Sequence, residues 1–158
     1  IIMRTKNGLI TMLFLLATIS LNAQEEVTAE KFYFSKTVNG SVEEVTPQVK
    51  SVLKEQGFGI VTEINMAGTL QEKLGDIPIK PYRILGACNA KYAWETIQKE
   101  ENIGVFLPCK VILKQKSANQ TEVVAVNPAV LMKMLENEEL NTIANEVAKQ
   151  FKTALQNL

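Results

Sequence analysis

Histidine is absent from this 158-residue chain, and cysteine occurs only twice. Without an imidazole, the protein has no Ser-His-Asp triad, no Cys-His pair and no histidine-ligated zinc site. The eight glycines include only one close pair, Gly57 and Gly59, and this pair matches neither of the common nucleotide-binding motifs. These absences exclude the best-known hydrolase, zinc-enzyme and phosphate-loop classes.

An excess of charge of either sign is also missing. The chain has 17 basic and 17 acidic residues, and 15 basic residues remain if Arg4 and Lys6 are removed with a leader segment. A nearly neutral protein has little attraction for phosphates, so we expect no nucleic-acid partner. Apolar residues make up 46% of the chain, which is sufficient for the core of a single domain.

The first 23 residues have the pattern of a signal peptide. Arg4 and Lys6 precede an apolar run over residues 9–21, which is too short for an ordinary membrane span. Cleavage is expected after Ala23. We therefore expect export, to a bacterial periplasm, with no stable membrane span after cleavage. The alternative is an uncleaved membrane anchor.

After the leader, the pattern predicts a flexible lead-in over residues 24–30 and a single α+β domain over residues 31–158. Strand and helix signals predict about five strands, largely antiparallel, with helices packed on one face of the sheet. Ser41 and Glu44 have the spacing of a capping box at the start of the first helix. Because the apolar positions stay in phase on both sides of Pro47, we expect one long helix with a kink there.

The middle of the chain is predicted to form a strand, a helix and a second strand. The first strand has a tight position at Gly86, and Asn89 is expected to cap the helix that follows. Residues 105–107 are expected to open the second strand. Cys88 and Cys109 are then predicted to lie where the two strands end.

The two cysteines allow three interpretations. They are two separate buried residues, or they form one disulfide that adds about 3 kcal/mol of stability on the chain-entropy model, or they form a functional pair. The third interpretation rests on Cys88, which precedes a helix N-terminus where the helix dipole favours a reactive thiolate. Two thiolates could hold a soft ion such as copper(I), whereas zinc would need two more ligands. The sequence identifies no particular cofactor or metal.

Three further residues near this unit are candidates for binding. Tyr82 and Arg83, close to Lys80, could contact an anion, although an arginine on a strand is more commonly solvated or paired. Asn89 lies next to Cys88 and belongs to the same candidate site. No catalytic residue can be assigned from these patterns.

The chain resembles one known family, the domain of unknown function 302 family. Its two signature segments resemble PYRILGACN (81–89) and IGVFLPC (103–109), and further parts resemble YFSKTVNGSVEEV, KEQGFGIVTEINMAGTLQEKLG and VNPAVLMKML. The resemblance covers residues 31–158. One departure is that the family usually reads Cys-Asn-Pro where this chain has Cys88, Asn89 and Ala90, so a looser start of the helix is expected here.

The resemblance implies a fold but no activity. It implies a curved sheet with helices packed on it, similar to the TATA-box-binding-protein-like architecture, in a domain that self-associates. We therefore expect a non-enzymatic, exported binding module, such as a homodimer, that holds a small apolar ligand against the sheet face that the helices leave open. The rival hypothesis is a thiol protein in which Cys88 and Cys109 carry redox, sulfur-transfer or soft-metal chemistry. A structural or envelope-stress protein with no site is the third option.

Overall fold

The computed structural model describes residues 31–158, and the predicted signal peptide and lead-in lie outside the described residues. The strands are β1 Tyr33–Asn39, β2 Gly59–Asn65, β3 Tyr82–Cys88, β4 Cys109–Ser117 and β5 Gln120–Val126. The helices are α1 Val42–Glu55, α2 Met66–Leu74, α3 Ala90–Lys99, α4 Pro128–Leu131 and α5 Glu138–Gln156, with 3₁₀ segments at Glu101–Phe106 and Met132–Leu135. Over this described range, no helix has both the length and the apolar character needed to cross a membrane.

The five strands form one sheet in the order β1-β5-β4-β3-β2, and every neighbouring pair is antiparallel. This confirms the predicted α+β class. Because side chains alternate between the faces of a strand, residues paired across the sheet share a face. One such row is fully buried under α1 and α5 and forms the centre of the main core: Phe34, Ala125, Val111 and Leu85.

Helix α1 begins at the predicted capping box and runs through Pro47 as one helix, while the kink expected at Pro47 stays a prediction. Ser41 Oγ accepts a hydrogen bond from the Glu44 backbone N–H, and the Glu44 carboxylate accepts one from the Ser41 backbone N–H, which completes the capping box. The helix continues through Pro47, which lies on its exposed side. Val45 and Val49 are buried on the opposite side, and this packing holds the helix together where proline removes a backbone hydrogen bond.

Gly86 is the tight position predicted in β3. A Cβ atom there would meet Thr62 Oγ1 on β2 and would lie 2.6 Å from Pro108 Cγ. Only glycine fits between these two groups, because contacts of that length do not occur between ordinary side-chain atoms. The same region of β2 contains an irregularity in register between Ile60 and Thr62, which leaves Val61 as the extra residue.

The prediction that residues 105–107 open a strand is wrong, and so is the placement of Cys109 at the end of that strand. The chain instead forms a 3₁₀ segment, Glu101–Phe106. Glu100 caps this segment, because its carboxylate accepts a hydrogen bond from the Asn102 backbone N–H at 2.9 Å. Ile103 is the buried residue of the segment, and Val105 is 83% exposed. After Pro108, which follows a cis peptide bond, β4 begins at Cys109.

Candidate functional site

An apolar cavity of about 70 Å³ lies on the helix-covered side of the sheet. It is located where the ends of β3 and β4 meet α3, α5 and the 3₁₀ segment Glu101–Phe106. The main core cluster contributes residues such as Ala87 and Val147, and a second, smaller core cluster contributes Ile103 and Leu140. The cavity is therefore the seam at which two separately packed clusters join.

The polar side chains of α3 and its cap that border the cavity each make at least one hydrogen bond within the protein. Asn89 Oδ1 accepts from the Lys91 backbone N–H at 3.1 Å, as predicted for a helix cap. Thr96 Oγ1 donates to the Tyr92 carbonyl at 2.9 Å. The Tyr92 hydroxyl accepts from Gln150 Nε2 at 3.2 Å. What remains for a bound molecule is a surface dominated by apolar atoms.

Cys88 and Cys109 both line this cavity, and both are half-buried free thiols. Cys109 pairs with Ala87, the residue just before Cys88, so the two cysteines are neighbours along the backbone, whereas strand alternation directs their side chains to opposite faces of the sheet. Burial raises the pKa of Cys109 to about 11, with a smaller contribution from the charge of Cys88 and partial compensation by Lys110. Cys109 is therefore a protonated, weakly nucleophilic thiol at neutral pH.

Arg83 lies away from the cavity, in an ion-pair cluster between α1 and the edge of the sheet. Its guanidinium is 3.1 Å from the Glu63 carboxylate and 3.4 Å from that of Glu43. Lys50 Nζ also contacts Glu63, at 2.6 Å. Because two carboxylates face Arg83, it is a paired structural arginine and does not offer the anion contact that was considered for it.

Tyr82 is on the opposite face of the sheet from the cavity. Its register partner is Lys114, whereas the next pair along, Arg83 and Leu113, faces the helices. Of the five residues predicted for the site, the structure therefore brings three together at the cavity, namely Cys88, Asn89 and Cys109, and places the other two elsewhere.

The sequence pattern did not predict that α5 lines the cavity. Leu140, Ala144 and Val147 line it from that helix, but an apolar stripe at helical spacing predicts a buried face equally well whether or not the packing beneath it is complete. Across residues 31–158, no group of three or more His, Cys, Asp or Glu side chains is arranged to hold a metal ion. The donor set at the cavity is thus limited to the two thiols and neutral oxygen and nitrogen atoms.

The sheet face without α1 and α5 also carries apolar residues. Val124, Ile112, Ile84 and Ile64 form one row across four strands. The first three are half-buried and Ile64 is 39% exposed. Beside this row, Glu122 forms ion pairs with Lys114 at 3.1 Å and with Lys116 at 3.5 Å. This face is a surface, and the cavity lies on the other side of the sheet from the expected ligand position.

Fold and site together define an α+β protein with an antiparallel five-stranded sheet and an apolar cavity beneath its helices. The chain belongs to the family described as "Domain of unknown function DUF302", whose model matches residues 34–158. It is also similar to the crystal structure of an uncharacterized conserved protein DUF302 from Bacillus stearothermophilus. The two chains are 28% identical with a TM-score of 0.73, over 80% of this chain and 97% of that chain. A comparison with curated proteins finds no match.

Proposed function

We propose that this protein is a non-enzymatic binding module that holds a small apolar molecule, or the apolar end of a larger one, in the helix-side cavity. The observation that carries the proposal is the cavity itself, in which the neighbouring polar groups of α3 already have partners within the protein. An unpaired polar ligand group would be left without a hydrogen bond there, at a cost of about 1–3 kcal/mol. An apolar group has no such cost.

The size of the cavity limits the ligand. About 70 Å³ is well above the roughly 10–15 Å³ that one water needs, and below the roughly 150 Å³ of an engineered apolar cavity that binds benzene. A ligand of a few non-hydrogen atoms, or one short alkyl end, fits this space without rearrangement. This small size favours the terminal group of a larger molecule or a very small apolar compound.

The proposal includes export to a bacterial periplasm and self-association as a homodimer. The signal-peptide pattern at residues 1–23 supports export. The partly exposed apolar row on the open sheet face supports pairing with a second copy, since contiguous apolar residues at a surface mark an interaction site. The proposal also retains the TATA-box-binding-protein-like arrangement, which the five-stranded antiparallel sheet supports. Cell fractionation and sedimentation equilibrium test the location and the dimer.

The redox and sulfur-transfer alternative has less support. Both reactions require a thiolate nucleophile, and the raised pKa of Cys109 works against that role. Its soft-metal form also requires both cysteines as thiolates, so the raised pKa of Cys109 works against that form as well.

The binding proposal is tested by the native mass of the chain purified without detergent. We expect extra, non-covalent mass that disappears on denaturation. Ala93→Leu should abolish that mass, because Ala93 lines the cavity and a larger side chain would occupy it. Ala90→Leu is the matched control, since Ala90 is on the same helix but is exposed and does not line the cavity. The proposal would be contradicted if both variants lost the extra mass equally or if both retained it.

A further inference from the structure

We propose that the ligand of the cavity is a short alkyl group that carries one neutral hydroxyl, and that Tyr92 and Gln150 bind this hydroxyl. The inference rests on the proposed function and adds the chemical class of the ligand. It stands on an unpaired hydrogen-bonding atom beside the cavity, on the proton of the Tyr92 hydroxyl and on the neutral lining of the cavity.

The unpaired atom is Gln150 Oε1, which is buried and has no hydrogen-bond partner among the described residues. Gln150 follows the lining residue Val147 by three positions on α5, so the two side chains are neighbours on that helix. A buried acceptor without a hydrogen bond is costly to the protein. A bound group that donates to Oε1 removes this cost and gains affinity from it.

The Tyr92 hydroxyl supplies the second half of the site. Tyr92 lines the cavity from α3, and its hydroxyl accepts a hydrogen bond from Gln150 Nε2 at 3.2 Å. Because the hydroxyl is the acceptor in this bond, its own proton is available for a further one. Nε2 and Oε1 belong to one amide group, so the available proton and the unpaired oxygen lie close together.

A ligand hydroxyl fits this pair in either orientation of the Gln150 amide. In the orientation described, it donates to Oε1 and accepts from the Tyr92 hydroxyl. If the amide is rotated by half a turn, Oε1 accepts from Tyr92 and Nε2 becomes the unpaired group. The ligand oxygen then accepts from Nε2, because a hydroxyl both donates and accepts.

Other polar groups fit less well. A carbonyl or an ether only accepts and would leave Oε1 unpaired. A carboxylate or an ammonium group carries a charge, and no side chain that lines the cavity within residues 31–158 is charged to compensate for its burial. At the other end of α3, Asn89 and Thr96 already use their side-chain oxygens in hydrogen bonds within the protein. The ligand class is therefore a small alcohol or the hydroxyl-bearing end of an alkyl chain.

The test compares two probes of similar size, propan-1-ol and n-butane, in titrations of the full chain followed by methyl NMR spectroscopy. Both probes should shift the methyl signals of Ala87 and Val147, which line the cavity. The double variant Tyr92→Phe with Gln150→Met replaces both polar side chains by apolar ones of similar shape, a change that is nearly neutral for folding. We expect it to bind propan-1-ol about tenfold more weakly than the parent and to keep its affinity for n-butane.

Tyr82→Phe is the matched control, because it removes the same kind of hydroxyl from the opposite face of the sheet, and neither affinity should change. If the double variant does not fold, Gln150→Met alone removes the unpaired oxygen and should also weaken the binding of propan-1-ol selectively. The inference is overturned if n-butane binds the parent and propan-1-ol does not. It is also overturned if the folded variants bind propan-1-ol as tightly as the parent, or if Tyr82→Phe weakens that binding equally. In these cases the binding of n-butane leaves the proposed function standing, whereas a parent that binds neither probe contradicts the proposed function itself.

Discussion

Cys109 begins β4 opposite Ala87, so that it lies beside Cys88, the last residue of β3. The chain between the two cysteines forms α3 and the 3₁₀ segment Glu101–Phe106, and both of these elements border the cavity. One continuous segment of about 22 residues therefore supplies both thiols and one wall of the site. This explains why the functional hypotheses for the cysteines and for the cavity concern the same place.

We predict that Leu140→Ala enlarges the cavity and lowers the free energy of unfolding. Leu140 is 1% exposed and lines the cavity from α5. Truncating a buried leucine costs about 2–5 kcal/mol, and the space released should admit benzene. Urea denaturation measures the loss of stability, and a benzene-dependent rise in the thermal midpoint measures binding.

The control for this variant is Val49→Ala, which also truncates a buried side chain but lies on α1 outside the cavity. It should lose stability without gaining a response to benzene. A benzene response of equal size in both variants would show that general loosening of the core, and not the cavity, is responsible.

Gly86→Ala should destabilise the fold by about 1–3 kcal/mol, the usual range for overpacking. The added Cβ would collide with Thr62 Oγ1 and Pro108 Cγ, which lie on β2 and just before β4. Gly104→Ala is the matched control, because a Cβ there meets nothing within 4 Å. We expect this variant to change the free energy of unfolding by no more than about 0.5 kcal/mol. Thermal unfolding of both variants checks the prediction, and equal losses would refute it.

The stability contributed by Glu63 should depend on pH. The hydrogen bond from Lys50 is the main cause that lowers the pKa of Glu63, and Arg83 adds to it. A carboxylate with a lowered folded-state pKa contributes stability that is present above its ordinary pKa and is lost as pH falls through the folded-state value. Glu63→Gln should therefore lower the free energy of unfolding by about 1 kcal/mol at neutral pH, and the difference should vanish in acid.

Denaturant titrations of the two proteins at several pH values measure this difference. Glu55→Gln serves as a control, because Glu55 is exposed at the end of α1 and is outside the described ion pairs. A Glu63→Gln effect that stays constant from neutral pH into acid would mean that the ion pairs do not contribute as described.

Alkylation of Cys109 should be slow and should have a high pH midpoint. Burial is the larger cause of its raised pKa of about 11 and the charge of Cys88 the smaller, so removing Cys88 should leave most of the effect. In Cys88→Ser, we expect the rate of reaction with iodoacetamide to rise only at a pH well above 9. A midpoint at or below 9 would contradict the burial described for this thiol.

The sequence was sufficient to predict most of the fold. The capping box at Ser41, the apolar phase around Pro47 and the tight position at Gly86 are local signals with local physical causes, and the structure confirms all three. The error at residues 105–107 arose because a short apolar run looks the same in a strand and in a 3₁₀ segment. Only the capping by Glu100 and the burial of Ile103 distinguish them.

The cavity was harder to predict from the sequence than the fold. Its position depends on how closely α5 packs against α3, and residues such as Ala144 and Val147 have the same helical spacing in a filled core and in one with a gap. The role of Arg83 was equally undetermined, because its partners Glu43 and Glu63 are distant in sequence and meet it only through tertiary packing.

The measurement that tests the central claim most directly is methyl NMR spectroscopy of the labelled chain under xenon, a small apolar probe that enters dry cavities. We predict shift changes concentrated on the cavity methyl groups of Ala87, Ala144 and Val147. Changes confined to Ile84, Ile112 and Val124 on the opposite face of the sheet, or no localised change, would contradict binding in the helix-side cavity.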